Sequence, residues 1–160
     1  MSLSTAYYHS PVGWLCISVL DGSVRALHWS SSDGHPTIAP NAVARRATDW
    51  LDSYFRGTIL PISFPLEPAG TPFQRRVWQL VSTIAPASVF SYGDLARDLG
   101  SSARAVGQTM AINPIPILIP CHRVTGKRSL GGYSGGGGAA TKQWLLEWEQ
   151  KITAPHQAQQ

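Results

Sequence analysis

Cysteine is nearly missing from this chain: Cys16 and Cys121 are the only two in 160 residues. So few, set so far apart, argue against a disulfide-stapled scaffold. They are also too few for a structural zinc site built from three or four thiolates, and no other metal-ligand set is seen. A reduced compartment is the expectation, and it would keep a reactive thiol usable. Long apolar runs are missing too, since none approaches the roughly 18 residues that a membrane span needs. The N-terminus lacks the charged-then-apolar pattern of a secretion signal. These gaps point to a cytoplasmic protein with no membrane partner. Acidic residues are outnumbered by basic ones, 9 against 13, which gives a formal charge of +4 and a pI near 9.4. That balance suits a polyanionic partner, but many basic proteins never meet nucleic acid, so charge alone assigns nothing. With 43% hydrophobic residues, the chain can fill one substantial core or two small lobes.

What is present concentrates in Asn113-Pro114-Ile115-Pro116-Ile117-Leu118-Ile119-Pro120-Cys121-His122-Arg123-Val124. An apolar, β-branched run bracketed by prolines reads as a short buried strand or extended segment, and not as a helix. It delivers a thiol, an imidazole and a guanidinium in succession. The thiolate is the nucleophilic form, and a free thiol of pKa about 8.5 is little ionised at neutral pH, so a base or a positive field must help it. In extended backbone adjacent side chains point to opposite faces. Either the chain turns after Pro120 or a water links thiol to imidazole. Spacing alone leaves a second reading equally open, a buried structural cysteine beside a surface histidine.

Ahead of this stretch, residues 5–29 read as strands, with Asp21-Gly22 as a tight hairpin turn between 12–20 and 24–29. Cys16 reads as a packing residue there, and His9 and His28 as ordinary strand histidines. Residues 30–40 read as a polar loop. Asn41 caps a helix through Val43, Ala44, Ala47, Trp50, Leu51, Tyr54 and Phe55 that stops at Gly57. Its apolar spacing reads as core, and Arg45-Arg46 as a solvated face. Residues 60–64 are a candidate further strand, and 66–70 a linker.

A second lobe opens with Thr71-Pro72, a cap followed by proline at the first helical position. Phe73, Val77, Leu80, Val81 and Ile84 then form one apolar stripe, closed by Pro86. Ser91-Tyr92-Gly93-Asp94 has the form of a capping box for a short helix ended by Gly100. Ser101 or Ser102 caps the next helix, residues 103–112, which Asn113-Pro114 stops. The pair is a helix-turn-helix candidate, although a plain αα-hairpin has the same signature. Residues 125–128 read as a basic turn and 131–138 as a mobile-looking loop. Residues 140–150 read as an amphipathic helix with Trp144, Leu145 and Trp148, and 154–160 as a frayed tail. The expected division is a supporting lobe over 1–68, a functional lobe over 71–152 and a tail over 153–160.

Pro120-Cys121-His122-Arg123-Val124, with Asn113-Pro114 and Ile117-Leu118-Ile119 before it, resembles the active-site signature of the O6-alkylguanine-DNA alkyltransferases (methylated-DNA–protein-cysteine methyltransferases). The resemblance runs in matching order from Thr71 to Glu149, half the chain. It takes in Phe73-Gln74-Arg75-Arg76-Val77-Trp78, Ser91-Tyr92-Gly93, Ala103-Arg104-Ala105-Val106-Gly107, Gly132-Tyr133-Ser134-Gly135-Gly136 and Lys142-Gln143-Trp144-Leu145-Leu146-Glu147-Trp148-Glu149. The resemblance implies an α+β fold, with a small N-terminal sheet-and-helix lobe of RNase H-like type before a mainly helical, winged helix-turn-helix-like C-terminal lobe. It implies a DNA-repair protein that flips the damaged base and moves an alkyl group irreversibly from O6-alkylguanine to its own cysteine, once per molecule. It implies no cofactor, double-stranded DNA containing O6-alkylguanine as partner, and a monomer, nucleoid-associated in a prokaryote or nuclear in a eukaryote. Some members carry zinc in the N-terminal domain, but no matching ligand set is present here.

Residue roles follow from the same resemblance. Cys121 is the acceptor, His122 its base through a water, and Glu149 the group that orients the imidazole. Tyr92 helps rotate the nucleotide and donates a proton toward guanine N3, while Asn113 ties the recognition helix to the active-site segment. The 103–112 helix meets the minor groove, where Ala103, Ala105, Gly107 and Ala111 permit close approach and Arg104 fills the gap left by the flipped base. Pro116, Tyr133 and Ser134 match pocket walls, and the carbonyls of Cys121 and Val124 select guanine by its exocyclic amine. Without the resemblance, Arg104 reads as an exposed helix arginine, the small residues as a packing stripe, and Tyr92 as half-buried packing. Arg123 is expected to be structural, paired with a carboxylate or carbonyls. Two stretches depart from the family pattern. The segment between Tyr92 and Arg104 is shorter, which tightens the turn. Residues 135–140 are longer and richer in glycine, which would loosen the pocket wall and widen the range of alkyl groups.

Overall fold

Leu15, Ile17 and Val19 recur at every second position and are fully buried, as a strand with one face on a core requires. In the computed structural model, which describes residues 3–30 and 41–154, they lie on the middle strand of a three-stranded antiparallel sheet. Its strands are β1 (Leu3–Ser10), β2 (Gly13–Leu20) and β3 (Ser23–Trp29), in the order β1-β2-β3. The β2–β3 turn is the expected one. Asp21 and Gly22 both take positive φ, 50° and 81°, as a two-residue hairpin turn matched to the strand twist demands. Helix α1 (Ala42–Arg56) packs on the sheet. The Asn41 side chain accepts from the Ala44 amide at its start, and Gly57 at φ 109° ends it.

The candidate strand at 60–64 does not form. Pro61 within it and Pro65 just after it withhold amides that a ladder would use. The chain instead touches the sheet once, where the Val24 amide donates to Pro65 and the Glu67 amide donates back to Val24, each at 2.9 Å. Apart from Ser30 and Ala154, the loop expected over 30–40 and the tail expected over 154–160 lie outside the described residues.

The C-terminal part is helical, and its helix ends are written locally. Helix α2 (Pro72–Val81) opens with a complete capping box between Thr71 and Gln74. A two-residue strand β4 (Phe90–Ser91) leads into α3 (Tyr92–Leu99), which has a second capping box, Ser91 with Asp94, and ends at Gly100 with φ 62°. Ser102, rather than Ser101, caps α4 (Ala103–Ala111). Residues 100–102 alone join α3 to α4, so the helix-turn-helix turn is short. Strand β5 (Val124–Thr125) pairs in parallel with β4. Helix α5 (Ala139–Thr153) extends beyond the expected 140–150 at both ends. No helix among the described residues is long and apolar enough to cross a membrane.

The lead-in to Cys121 is buried as expected, but it is not a strand. Ile115, Ile117, Leu118 and Ile119 are at most 2% exposed, yet Ile117 takes φ 72° and Pro116 bridges to Ile119. The prolines leave few amides for a ladder, so the run turns back on itself. Asn113 ties the turn. Its Oδ1 accepts from the Ile115 amide at 3.0 Å and its Nδ2 donates to the Ile119 carbonyl at 2.9 Å. After Pro120 the chain makes a single 3-10 turn, Cys121–Arg123, so it does turn there, as one of the two expected arrangements required. Asn113→Ala leaves the buried Ile115 amide unpaired and takes one of two donors from the Ile119 carbonyl, which keeps the Cys121 amide at 2.7 Å, and should lower the unfolding free energy by about 1–2 kcal/mol. Urea denaturation checks this, and an unchanged midpoint would remove the tie from the account.

Candidate active site

Glu149 on α5 is fully buried and accepts five hydrogen bonds. Its Oε1 accepts from Arg123 Nε at 2.8 Å and from the Ala87 amide at 3.3 Å. Its Oε2 accepts from Arg123 Nη2 at 2.9 Å and from the Tyr54 hydroxyl and His122 Nε2, each at 2.7 Å. Arg123 also donates from Nη1 to the Ile84 carbonyl at 2.7 Å, so the expected structural pairing takes both forms, carboxylate and carbonyl. Burial alone would raise the Glu149 carboxyl, but hydrogen bonds from His122 and Arg123, with the charge beside them, outweigh it and hold the group well below the usual carboxylate range.

An ionised Glu149 fixes the histidine. Burial pushes His122 below its ordinary value against the pull of Glu149, so the ring is neutral near pH 7. A neutral imidazole facing a carboxylate through Nε2 places its proton there, which leaves the lone pair on Nδ1. That Nδ1 is buried and has no hydrogen-bond partner among the described residues. It is free to take a proton.

Cys121, 6% exposed, closes a cavity of about 460 Å³. Tyr92 of α3, then Gly107, Met110 and Ala111 of α4, form one side, and Gly132, Tyr133 and Ser134 form the other. Burial pushes the Cys121 thiol up, while the Asn113 side chain and the Lys142 charge pull it down. Lys142 is fully buried and donates from Nζ to the carbonyls of Val124 at 2.7 Å and Gly132 at 3.2 Å, and to the Tyr92 hydroxyl at 3.5 Å. Burial draws its ammonium down to about 8. Tyr92 is raised, first by burial and then by Cys121, so its hydroxyl keeps its proton at neutral pH.

The structure therefore brings Cys121, Tyr92, Gly107, Tyr133 and Ser134 to one cavity, and pairs His122, next to the cysteine in the 3-10 turn, with Glu149. Pro116 and Val124 are not among the residues that line it. The Val124 carbonyl accepts from Lys142, and the Cys121 carbonyl accepts from the Val124 amide. Arg104 and Ala103 are exposed at the start of α4, and Ala105 is half-buried beside them. Lys142, Tyr54, Met110 and Gly132 were given no role in the site from the sequence, and Ala111 only one in close approach to DNA. For Lys142 a signal existed. Lys142, Leu145 and Glu149 recur at i, i+3 and i+7, one helix face, so two charged residues share a stripe with a core leucine. Among the described residues, no group of three or more His, Cys, Asp or Glu is placed to hold a metal.

Comparison with known proteins points to one family. The family model described as 6-O-methylguanine DNA methyltransferase, DNA binding domain, matches residues 72–151. A methylated-DNA–protein-cysteine methyltransferase of Mycobacterium tuberculosis is 41% identical over 155 residues, 91% of this chain and 91% of its own length. A protein of the same name from Shigella flexneri is 45% identical over 106 residues, 64% of this chain and 61% of its own length. The crystal structure of Mycobacterium tuberculosis OGT in complex with DNA matches with a TM-score of 0.79 and 38% identity, over 91% of this chain and 92% of that one.

Lys142→Met removes the positive charge beside the thiol, so the pH at which Cys121 ionises should rise. Following iodoacetamide labelling of the Cys121 peptide across pH measures that midpoint. A midpoint that stays in place or falls would show that the ammonium does not support the thiolate.

Proposed function

This chain belongs to the methylated-DNA–protein-cysteine methyltransferases, DNA-repair proteins whose partner is DNA, and we propose that Cys121 takes the alkyl group from guanine O6 of a nucleotide flipped into the cavity. The observation that carries this reading is the cavity that ends on a thiol, followed in the same 3-10 turn by an imidazole whose free nitrogen is Nδ1 and whose other nitrogen is held by Glu149. A volume of about 460 Å³ lies within the range of about 300–1,000 Å³ usual for small-ligand sites.

His122 Nδ1 takes the Cys121 proton through a water, and the Lys142 ammonium steadies the thiolate. The sulfur attacks the alkyl carbon. An S–C bond forms, the C–O6 bond breaks, and the electron pair moves into the purine. Tyr92, still protonated, supplies a proton toward N3. The thioether is not readily reversed, so each molecule acts once, and no cofactor is needed because the alkyl group comes from the base itself. The Cys121 carbonyl accepts from the guanine amine with the lone pair that the Val124 amide leaves open, while the Val124 carbonyl holds Lys142 behind the cavity lining. Ser134 and nearby backbone donate toward O6, and Tyr133 stacks on the base.

Flipping needs a grip and a plug. Helix α4 presents Ala103, Ala105 and Gly107 to the minor groove, and exposed Arg104 enters the space the base vacates. Asn113 holds the turn that joins α4 to the Cys121 segment. The protein acts as a monomer in the compartment that holds the DNA.

With duplex DNA carrying labelled O6-methylguanine, label should move to the Cys121 peptide in a 1:1 ratio with protein. Cys121→Ala should abolish transfer while sparing DNA binding. Repeated turnover, or transfer that survives that substitution, would refute the reading. Arg104→Ala should slow duplex repair by about tenfold or more while hardly changing reaction with free O6-benzylguanine. Equal losses on the two substrates would remove Arg104 from the flipping step.

A further inference from the structure

The loop that carries Tyr133 and Ser134 rests on the N-terminal sheet. Trp29, the last residue of β3, lies beneath it. A Cβ added at Gly135 would come within 2.9 Å of three carbons of the Trp29 ring, and one at Gly136 would lie 2.8 Å from its Nε1. Only glycine lets backbone approach an indole this closely. From the sheet side, the Trp29 N–H donates to the Val12 carbonyl at 3.0 Å, and a Cβ at Gly13 would sit 3.4 Å from Cδ1. The ring is fixed from below.

Above it stands Tyr133, with ring centroids 6.1 Å apart and planes at 85°, an edge-to-face contact. Tyr133 lines the cavity with Cys121, and its buried hydroxyl has no hydrogen-bond partner among the described residues. Packing is therefore what holds that ring in place. On its other side the loop is tied to α5 by the Gly137 amide, which donates to Thr141 Oγ1 at 2.8 Å. Glycine at 135 and 136 thus does the opposite of loosening the wall. It lets the wall seat on an indole.

We propose that Trp29 is a positioning residue that sets the Tyr133 wall, and with it the width of the cavity offered to the alkyl group. This rests on the reading of that cavity as the alkylguanine site. Trp29 acts through Tyr133 and is the means by which the N-terminal sheet influences which alkyl groups are accepted.

Single-turnover transfer from duplexes carrying O6-methylguanine or O6-benzylguanine tests it, with wild type, Trp29→Ala, Trp29→Phe, Gly135→Ala and the Trp29→Ala/Gly135→Ala double variant. Trp29→Ala should raise the benzyl-to-methyl rate ratio by about fivefold or more, and Trp29→Phe by less. Gly135→Ala should slow methyl transfer by about tenfold with Trp29 present and by less than about twofold once Trp29 is truncated, because the added methyl then meets no ring. A purely structural role would lower the amplitude of transfer, which counts folded molecules, without moving the rate ratio. An unmoved ratio in both Trp29 variants, or an equal effect of Gly135→Ala in the two backgrounds, overturns the assignment. If Trp29→Ala yields no folded protein, the ratios for Trp29→Phe and Gly135→Ala decide in the same way. Wild type that leaves Cys121 unalkylated would instead sink the reading of the reaction, and this proposal with it.

Discussion

One buried carboxylate holds the molecule together where the chemistry happens. Glu149 takes donors from α1 (Tyr54), from the segment after α2 (Ala87) and from the turn at Cys121 (His122 and Arg123), while its own backbone belongs to α5. Burying a charge is costly unless it is paired and its lone pairs are occupied. Here the Arg123 guanidinium supplies the opposite charge in a two-pronged contact, and the other donors fill what remains. Ala87 even adopts φ 66°, a conformation that L side chains rarely take, in the segment whose amide reaches Oε1. Removing the carboxylate would therefore disturb four segments and release the histidine at once. Stability and reactivity share a single group.

The two buried cations near this carboxylate differ in what their charge is left to do. Arg123 is neutralised by Glu149. Lys142 faces the carbonyls of Val124 and Gly132 and the Tyr92 hydroxyl, which orient an ammonium without cancelling it. The uncancelled positive charge therefore lies beside Cys121, where a thiolate would need it. Burial lowers Lys142 and raises Cys121, so each is less ready to be charged alone than it would be in water. Each favours the charged form of the other. Such a pair rests with a neutral thiol and answers strongly to proton removal, which a neutral His122 is placed to begin.

Much of this was legible in the sequence, and what was legible was local. Asn41, Thr71 and Ser91 cap helices through bonds to residues three positions on, and Gly57 and Gly100 end them, so each signal is complete within a few letters. Asp21-Gly22 fixed its turn for the same reason. The trio Cys121, His122 and Glu149 was legible through family resemblance rather than spacing, since His122 and Glu149 are 27 positions apart. Tyr54 meets Glu149 across 95 positions, and its own stripe reads as ordinary core. Nothing in the alternation of apolar residues at 113–120 announces the reversal at Ile117, because tertiary burial and proline geometry override the β-branched preference there. The strand expected at 60–64 failed for a related reason, since prolines had removed the amides that pairing requires.

The sequence assigned the N-terminal part little beyond support, and the structure shows how direct that support is. Three contacts reach three different parts of the site. Tyr54 of α1 binds the carboxylate that orients His122. The Leu27 amide of β3 donates to the Pro114 carbonyl at 2.9 Å, next to the Asn113 tie. Trp29 at the end of the same strand underlies the loop that bears Tyr133. A methyl transfer by in-line attack tolerates little error in the position of sulfur, base and wall, and a small helical lobe has few ways to fix all three from within. A rigid sheet with one helix packed on it supplies the external reference, because its strands cannot shift register without turning Leu15, Ile17 and Val19 out of the core. The candidate site residues lie outside that sheet, yet their placement depends on its register.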